Sequence, residues 1–150
     1  MLDKSQLTPE EKRRRASEKT ILIVEDNELN MKLFHDLIQA HGYNILQTKD
    51  GMEALKLARQ HKPDLILMDI QLPEVSGLDV TRRLKASRTL HNIPIVALTA
   101  NAMIGDREAC LAAGCSGYLA KPVLKSDLID AVALHLERAA VRNQHNTTSV

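Results

Sequence analysis

The chain has 150 residues, of which 44% are apolar and 26% charged, and a formal net charge of +1. It can bury one core of ordinary size and has no room for a second folded domain. No apolar run approaches the roughly 20 residues of a membrane-spanning helix, and the polar start lacks the apolar stretch of a signal peptide, so a soluble, cytoplasmic protein without membrane insertion is expected.

Residues 1–19 hold six basic and four acidic side chains ahead of any apolar period, with the run Lys12 to Arg15 at their centre. Such a stretch reads as a flexible basic arm. Within it, Thr8-Pro9-Glu10-Glu11 has a cap hydroxyl, Pro at the first helical position and Glu at the third, the pattern of a short helix start. A basic arm can touch nucleic acid or anionic lipid, but a solvated tail is the simpler expectation for so short a run. Residues 138–150, with only Arg138 and Arg142 charged, read as a second flexible tail. Outside these ends, residues 20–137 carry 12 basic and 15 acidic side chains, a net of minus three that makes nucleic acid an unsuitable partner.

Between the ends, aliphatic runs alternate with helical periods, the rhythm of a parallel sheet wrapped by helices. Thr20 to Val24 is the first strand. Leu29, Leu33, Phe34, Leu37 and Ile38 then recur at helical spacing up to Gly42, a C-terminal glycine. Asn44 to Thr48 is a shorter strand. Asp50-Gly51-Met52-Glu53 has capping-box spacing, and the helix it opens ends at Lys62-Pro63. Asp64 to Met68 is apolar after its first residue, as befits a central strand buried on both faces, and a helix follows from about Gly77 to Ala86. Pro94 to Leu98, Asp106 to Ala113, Gly117 to Ala120 and the period of Leu128, Ile129, Val132 and Leu136 complete five units. The expected fold class is α/β, a (βα)5 doubly wound, five-stranded parallel sheet.

Cys110 and Cys115, five apart in a helical stretch, fit neither a redox C-x-x-C motif nor zinc spacing and are expected to be reduced structural thiols. The six histidines are scattered and are expected mostly at the surface, which leaves a transition-metal site without support.

The chemistry lies at the strand ends. Glu25 and Asp26 end the first strand, Asp69 the third, Thr99 the fourth and Lys121 the fifth. In an open parallel sheet the ligand crevice lies at the carboxyl ends of the strands. Any one of these residues alone is an ordinary strand exit. Together, three carboxylates in one crevice repel unless a cation joins them, and hard oxygen ligands suit Mg²⁺. Such an acidic set with a lysine opposite points to phosphoryl transfer, which needs positioning and charge neutralisation. Asp69 is the candidate phosphoacceptor, since a carboxylate can carry a phosphoryl group as an acyl phosphate. Asp26 would bind metal directly, Glu25 directly or through water, and Thr99 would offer its hydroxyl to a phosphoryl oxygen.

The segments Leu22-Ile23-Val24-Glu25-Asp26-Asn27, Leu67-Met68-Asp69-Ile70-Gln71-Leu72-Pro73, Ala97-Leu98-Thr99-Ala100 and Ala120-Lys121-Pro122 resemble the motifs of response-regulator receiver domains over about Lys19 to Glu137. Residues 25–37 are similar in particular to the DivK type, the stand-alone polarity and division regulators of alphaproteobacteria. The resemblance implies the flavodoxin-like strand order 2-1-3-4-5 and phosphorylation of Asp69 by a phosphohistidine of a histidine kinase. It further implies Mg²⁺ held by Glu25, Asp26, Asp69 and the backbone carbonyl of Gln71, and phosphate contacts from Thr99, Ala100 and Lys121. Thr99 and Tyr118 would form a switch that remodels the face made by the helix at 106–113, the fifth strand and the last helix. Lys121-Pro122 would be cis, and Gln71 and Asn101 would tune the lifetime of the acyl phosphate. Glu25 stands where many receivers have Asp, and the arm lies outside the family pattern.

The implied partners are histidine kinases and a histidine phosphotransfer protein, with the chain a monomer or weak dimer, polar through its kinases. A phosphorelay shuttle and a chemotaxis-type regulator are the alternatives within the family. An aspartyl-nucleophile phosphatase of haloacid-dehalogenase type would place a second Asp where Gln71 stands. A nucleotide or flavin module would need a glycine-rich phosphate loop after the first strand, which is lacking.

Overall fold

A computed structural model describes residues 7–100 and 104–148. Its elements in chain order are α1 (Pro9–Ser17), β1 (Thr20–Val24), α2 (Glu28–Ala40), β2 (Asn44–Thr48), α3 (Gly51–His61), β3 (Leu65–Asp69), α4 (Gly77–Lys85), β4 (Ile95–Thr99), α5 (Ile104–Ala113), β5 (Gly117–Ala120) and α6 (Lys125–Thr148). The five strands pair in parallel in the order β2-β1-β3-β4-β5. This is the expected doubly wound sheet.

Strand side chains alternate between two cores because successive residues point to opposite faces. Leu22, Val24, Ile66, Met68, Ile95 and Ala97 meet α3, α4 and α5 through Ala54, Leu55, Val80, Leu84 and Cys110. Ile21, Ile23, Leu65, Leu67, Val96 and Leu98 meet α2 and α6 through Met31, Phe34, Ile38, Leu128 and Val132. Residues on β1, β3 and β4 are buried at both faces, so these strands read as unbroken apolar runs.

Local details refine these expectations. The apolar stripe of α2 is rotated: Met31, Phe34 and Ile38 are buried, whereas Leu29 is 77% and Leu33 39% exposed. Asp50 caps α3 through the amide of Met52, and Lys62 closes it in the left-handed conformation. His135 is buried, with Nε2 2.6 Å from where a Cβ on Gly117 would stand. Cys110 lies in α5 but Cys115 lies beyond it: the amides of Gly114 and Cys115 turn back to the carbonyls of Leu111 and Cys110, with Gly114 at φ +106°. This is a Schellman turn whose flanking apolar pair is the two buried, free cysteines.

Both ends are more ordered than composition suggests. Thr8 and Glu11 make the reciprocal capping box of α1, Leu7 and Ala16 are buried, and Asn44 Nδ2 donates to the Ser17 carbonyl at 2.6 Å. The arm from residue 7 onward is thus a helix docked where β1 and β2 begin. The last helix continues to Thr148, past the expected tail boundary at 138, because no Gly or Pro interrupts it.

Candidate phosphoacceptor site

β1, β3, β4 and β5 end at one edge, and the sequence continues from each with the residue that matters there. Glu25 and Asp26 follow Val24, Asp69 closes β3, Thr99 closes β4, and Lys121 follows Ala120. The backbone fixes these neighbours: the Lys121 amide donates to the Thr99 carbonyl at 2.7 Å, the Glu25 amide to the Thr48 carbonyl at 3.1 Å, and the Ile70 amide to the Leu98 carbonyl at 3.1 Å. The Lys121-Pro122 bond is cis.

Glu25 is 0% and Asp69 1% exposed, while Asp26 lies at the open rim. One oxygen from each of the three carboxylates falls within 4.8 Å of the others. Lys121 Nζ stands 3.1 Å from Asp69 Oδ2, donates to Glu25 Oε1 at 3.1 Å and lies 2.9 Å from Glu25 Oε2. The Gln71 amide donates to Asp69 Oδ1 at 2.9 Å, and the Asn27 amide to Glu25 Oε1 at 3.3 Å.

One ammonium among three carboxylates leaves negative charge uncompensated. Burial pushes the Glu25 carboxyl above its ordinary range and the charge of Asp69 adds to this, against the hydrogen bond from Lys121. Burial likewise raises Asp26, helped by its hydrogen bond and repulsion with Asp69. Burial disfavours the Lys121 ammonium, but its bonds to Glu25 and Asp69 outweigh this and raise it, keeping it charged. Glu25 Oε2 is buried and makes no hydrogen bond among the described residues. Three hard oxygen donors, two of them on buried carboxylates that share the Lys121 ammonium, fit a divalent cation such as Mg²⁺.

Of the residues singled out in sequence, the structure brings Glu25, Asp26, Asp69 and Lys121 into direct contact or near contact, with Gln71 tied on by its amide. Thr99 is fully buried at the end of β4, and Ala100 follows it at the surface. Thr99 Oγ1 reaches Asp106 Oδ2 of α5 at 3.4 Å. Tyr118 is half-buried on β5, with the guanidinium of Arg107 5.9 Å from its ring centre. Asn101 lies outside the described residues.

Asp106, Arg107 and Gly77 also stand beside these residues, although the sequence does not single them out for the site. A Cβ on Gly77 would stand 2.1 Å from the Asp69 carbonyl oxygen, so the start of α4 presses directly on the strand end that carries Asp69. The Ser76-Gly77 pair opening a helix was the available signal; Asp106 and Arg107 look like any charged residues of a surface helix.

The response regulator receiver domain family matches residues 21–133. The chain belongs to that family. This receiver is 56% identical over 118 residues to the polar-differentiation response regulator DivK of Brucella anthropi, a match covering 79% of this chain and 96% of that protein, and equally so to DivK of Brucella ovis. Among solved structures, the receiver domain of the sensor histidine kinase PA1611 from Pseudomonas aeruginosa, with a magnesium ion in its active-site cleft, is 39% identical with a TM-score of 0.74. A response regulator from Chloroflexus aurantiacus is 29% identical with a TM-score of 0.77. Each match covers 79% of this chain and 98% of the other. The receiver is therefore a DivK-like module of two-component signalling. No helix among its described residues is long and apolar enough to cross a membrane.

Proposed function

We propose that this receiver takes one phosphoryl group on Asp69 from a phosphohistidine and relays the event by changing its contacts with histidine kinases in polarity and cell-cycle control. The observation that carries the proposal is the Lys121 ammonium held within 3.1 Å of both Glu25 and Asp69. That ammonium sits where an incoming phosphoryl group would need charge neutralisation. In the step itself a carboxylate oxygen of Asp69 attacks phosphorus, an O–P bond forms and the P–N bond breaks. The electron pair stays on the imidazole nitrogen, and because the other ring nitrogen carries a proton the leaving group departs as neutral histidine.

Glu25, Asp26, Asp69 and the Gln71 carbonyl would hold Mg²⁺, which when bound supplies positive charge to the phosphoryl oxygens. Lys121 supplies the second positive group, Thr99 a hydroxyl and Ala100 a backbone amide. Tyr118 then follows Thr99, altering the face of α5, β5 and α6, a two-state element biased by a local charge change. The 56% identity to DivK proteins favours the polarity role over a phosphorelay shuttle or a chemotaxis-type regulator. Localisation at a cell pole would come through the kinase partners.

The test is phosphoryl uptake from acetyl phosphate with and without Mg²⁺, read by intact mass on this protein and on Asp69→Asn. Uptake of a single phosphoryl group that needs Mg²⁺ and is lost in the variant supports the proposal. Uptake retained by Asp69→Asn, or steady turnover of phosphate esters, refutes it.

A further inference from the structure

The two residues assigned to the switch are each held by the first turn and a half of α5. The Thr99 hydroxyl at the end of β4 donates to Asp106 Oδ2 at 3.4 Å. Tyr118, on the neighbouring strand, has Arg107 over its ring at 5.9 Å. Asp106 and Arg107 are adjacent in sequence, and β4 and β5 are paired so that Ala97 faces Tyr118 and Thr99 faces Ala120. One short helical segment therefore grips both switch side chains from outside the phosphoacceptor cluster. Neither α5 residue is among the acidic set within metal-ligand distance.

We infer that Asp106 and Arg107 form a latch that holds Thr99 and Tyr118 in the unphosphorylated arrangement. A hydroxyl has one proton to donate. While Thr99 gives it to Asp106, it cannot give it to a phosphoryl oxygen on Asp69, so phosphorylation and the latch compete for one hydrogen. The ring side works in the same direction. The cation over Tyr118 favours the ring at its present half-exposed position, and an inward turn would forfeit that contact. A ligand shifts a two-state equilibrium only by its differential affinity for the two states. Contacts made in one state alone set that differential, and Asp106 and Arg107 make theirs in the unphosphorylated state. They are positioning residues, acting on the reaction through Thr99 and Tyr118 without touching the phosphoryl group. The inference rests on the phosphoacceptor reading above and adds to it a restraint on when the switch is thrown.

Removing the latch must make the phosphorylated arrangement easier to reach. The probe is beryllofluoride with Mg²⁺, which mimics the acyl phosphate, titrated into the full chain carrying Tyr43→Phe so that Tyr118 is the remaining tyrosine and reports by its fluorescence. Asp106→Ala should bind the probe about fivefold more tightly, within the usual range of coupling between linked equilibria. Asp106→Asn, which keeps an acceptor for the hydroxyl, should stay within about twofold of the parent. Arg107→Ala should shift the Tyr118 signal toward its bound value before probe is added, which covers the case of Asp106→Ala folding poorly. In a Thr99→Val background the gain from Asp106→Ala should vanish, since a double-mutant cycle isolates the shared contact; a merely structural role for Asp106 would leave it in place. Equal or weaker binding by a folded Asp106→Ala, or a gain that persists without the Thr99 hydroxyl, overturns the latch alone. Failure of the parent itself to bind the probe, or binding undiminished by Asp69→Asn, refutes the phosphoacceptor reading, and the latch falls with it.

Discussion

Replacing Gly77 with alanine tests whether the start of α4 is built against the strand that presents Asp69. The added Cβ would stand 2.1 Å from the Asp69 carbonyl oxygen, 2.7 Å from Ile70 Cα and 2.9 Å from the Asp69 carbonyl carbon. Ordinary contact needs about 3.5 Å, so β3 and α4 must part by more than about 1 Å. All three neighbours are backbone, and no side chain can swing aside. Overpacking costs about 1 to 3 kcal/mol in most cores, and this rigid site belongs at the upper end, about 3 kcal/mol. For a domain of this size that lowers Tm by about 10 °C. The separation also loosens the Gly77 amide bond to the Ile70 carbonyl, 3.2 Å long, and with it the aim of Asp69. A displacement of that order can slow chemistry by roughly tenfold to a hundredfold. Gly105→Ala is the control: nothing lies within 4 Å of its Cβ, and it sits exposed in the first turn of α5, so alanine should add about 0.5 kcal/mol. The assays are urea unfolding, with midpoint and slope compared, and the initial rate of phosphoryl uptake. A Gly77→Ala protein that unfolds within about 0.5 kcal/mol of the parent and takes up phosphoryl groups at the parent rate would refute the close-approach reasoning.

Lys121→Ala leaves Glu25 and Asp69 buried without their cation, so stability should fall by about 2 to 4 kcal/mol; added Mg²⁺ should raise Tm more in this variant than in the parent, and an equal rise in both would count against the shared-cation geometry. Burial, with the nearby charge of Arg138, lowers the pKa of His135. The unfolded chain then binds more protons than the folded one below about pH 6.5, so the His135 contribution is complete above that pH and is lost as pH falls toward the lowered value. In His135→Gln the part of the acid slope of ΔG between pH 7 and 5 due to this residue should disappear, and an unchanged slope would remove His135 from the account. Burial pushes the Cys115 thiol up to about 12. At pH 8 the thiolate fraction is then roughly one in ten thousand, against about a quarter for a free thiol, so Cys115 should resist a disulfide reagent until urea unfolds the chain. Rapid labelling of Cys115 in the native protein would contradict its burial.

The legible parts of this protein are those where one physical rule acts alone. Strands buried on both faces must be continuously apolar, so β1, β3 and β4 stand out, and the strand exits carry Glu25, Asp26, Asp69, Thr99 and Lys121 where a parallel sheet places its crevice. Less legible are features decided by what packs against them. Five apolar residues on α2 cover more than one face; the neighbouring sheet and α6 select Met31, Phe34 and Ile38 and leave Leu29 and Leu33 outside. His135 looks polar on a helix until Gly117 supplies a surface without a side chain to receive it. The arm and the last turns of α6 have compositions typical of tails. The capping box at Thr8 was readable, but the burial of Leu7 and Ala16 depends on a floor built from distant residues, and α6 continues simply because no residue stops it. Asp106 and Arg107 carry no sequence signature, since a charged residue on a helix gains a role here only from the strand ends beside it.

The docked arm also changes how the sheet margin meets other molecules. β2 is an edge strand, and an open edge offers unpaired amides and carbonyls to any passing strand. Here the edge is only five residues long, its first residue is tied to the arm through Asn44 and Ser17, and Lys49 follows directly after its last. What composition alone would class as a loose leader is, in the folded chain, fastened to the corner where that edge begins.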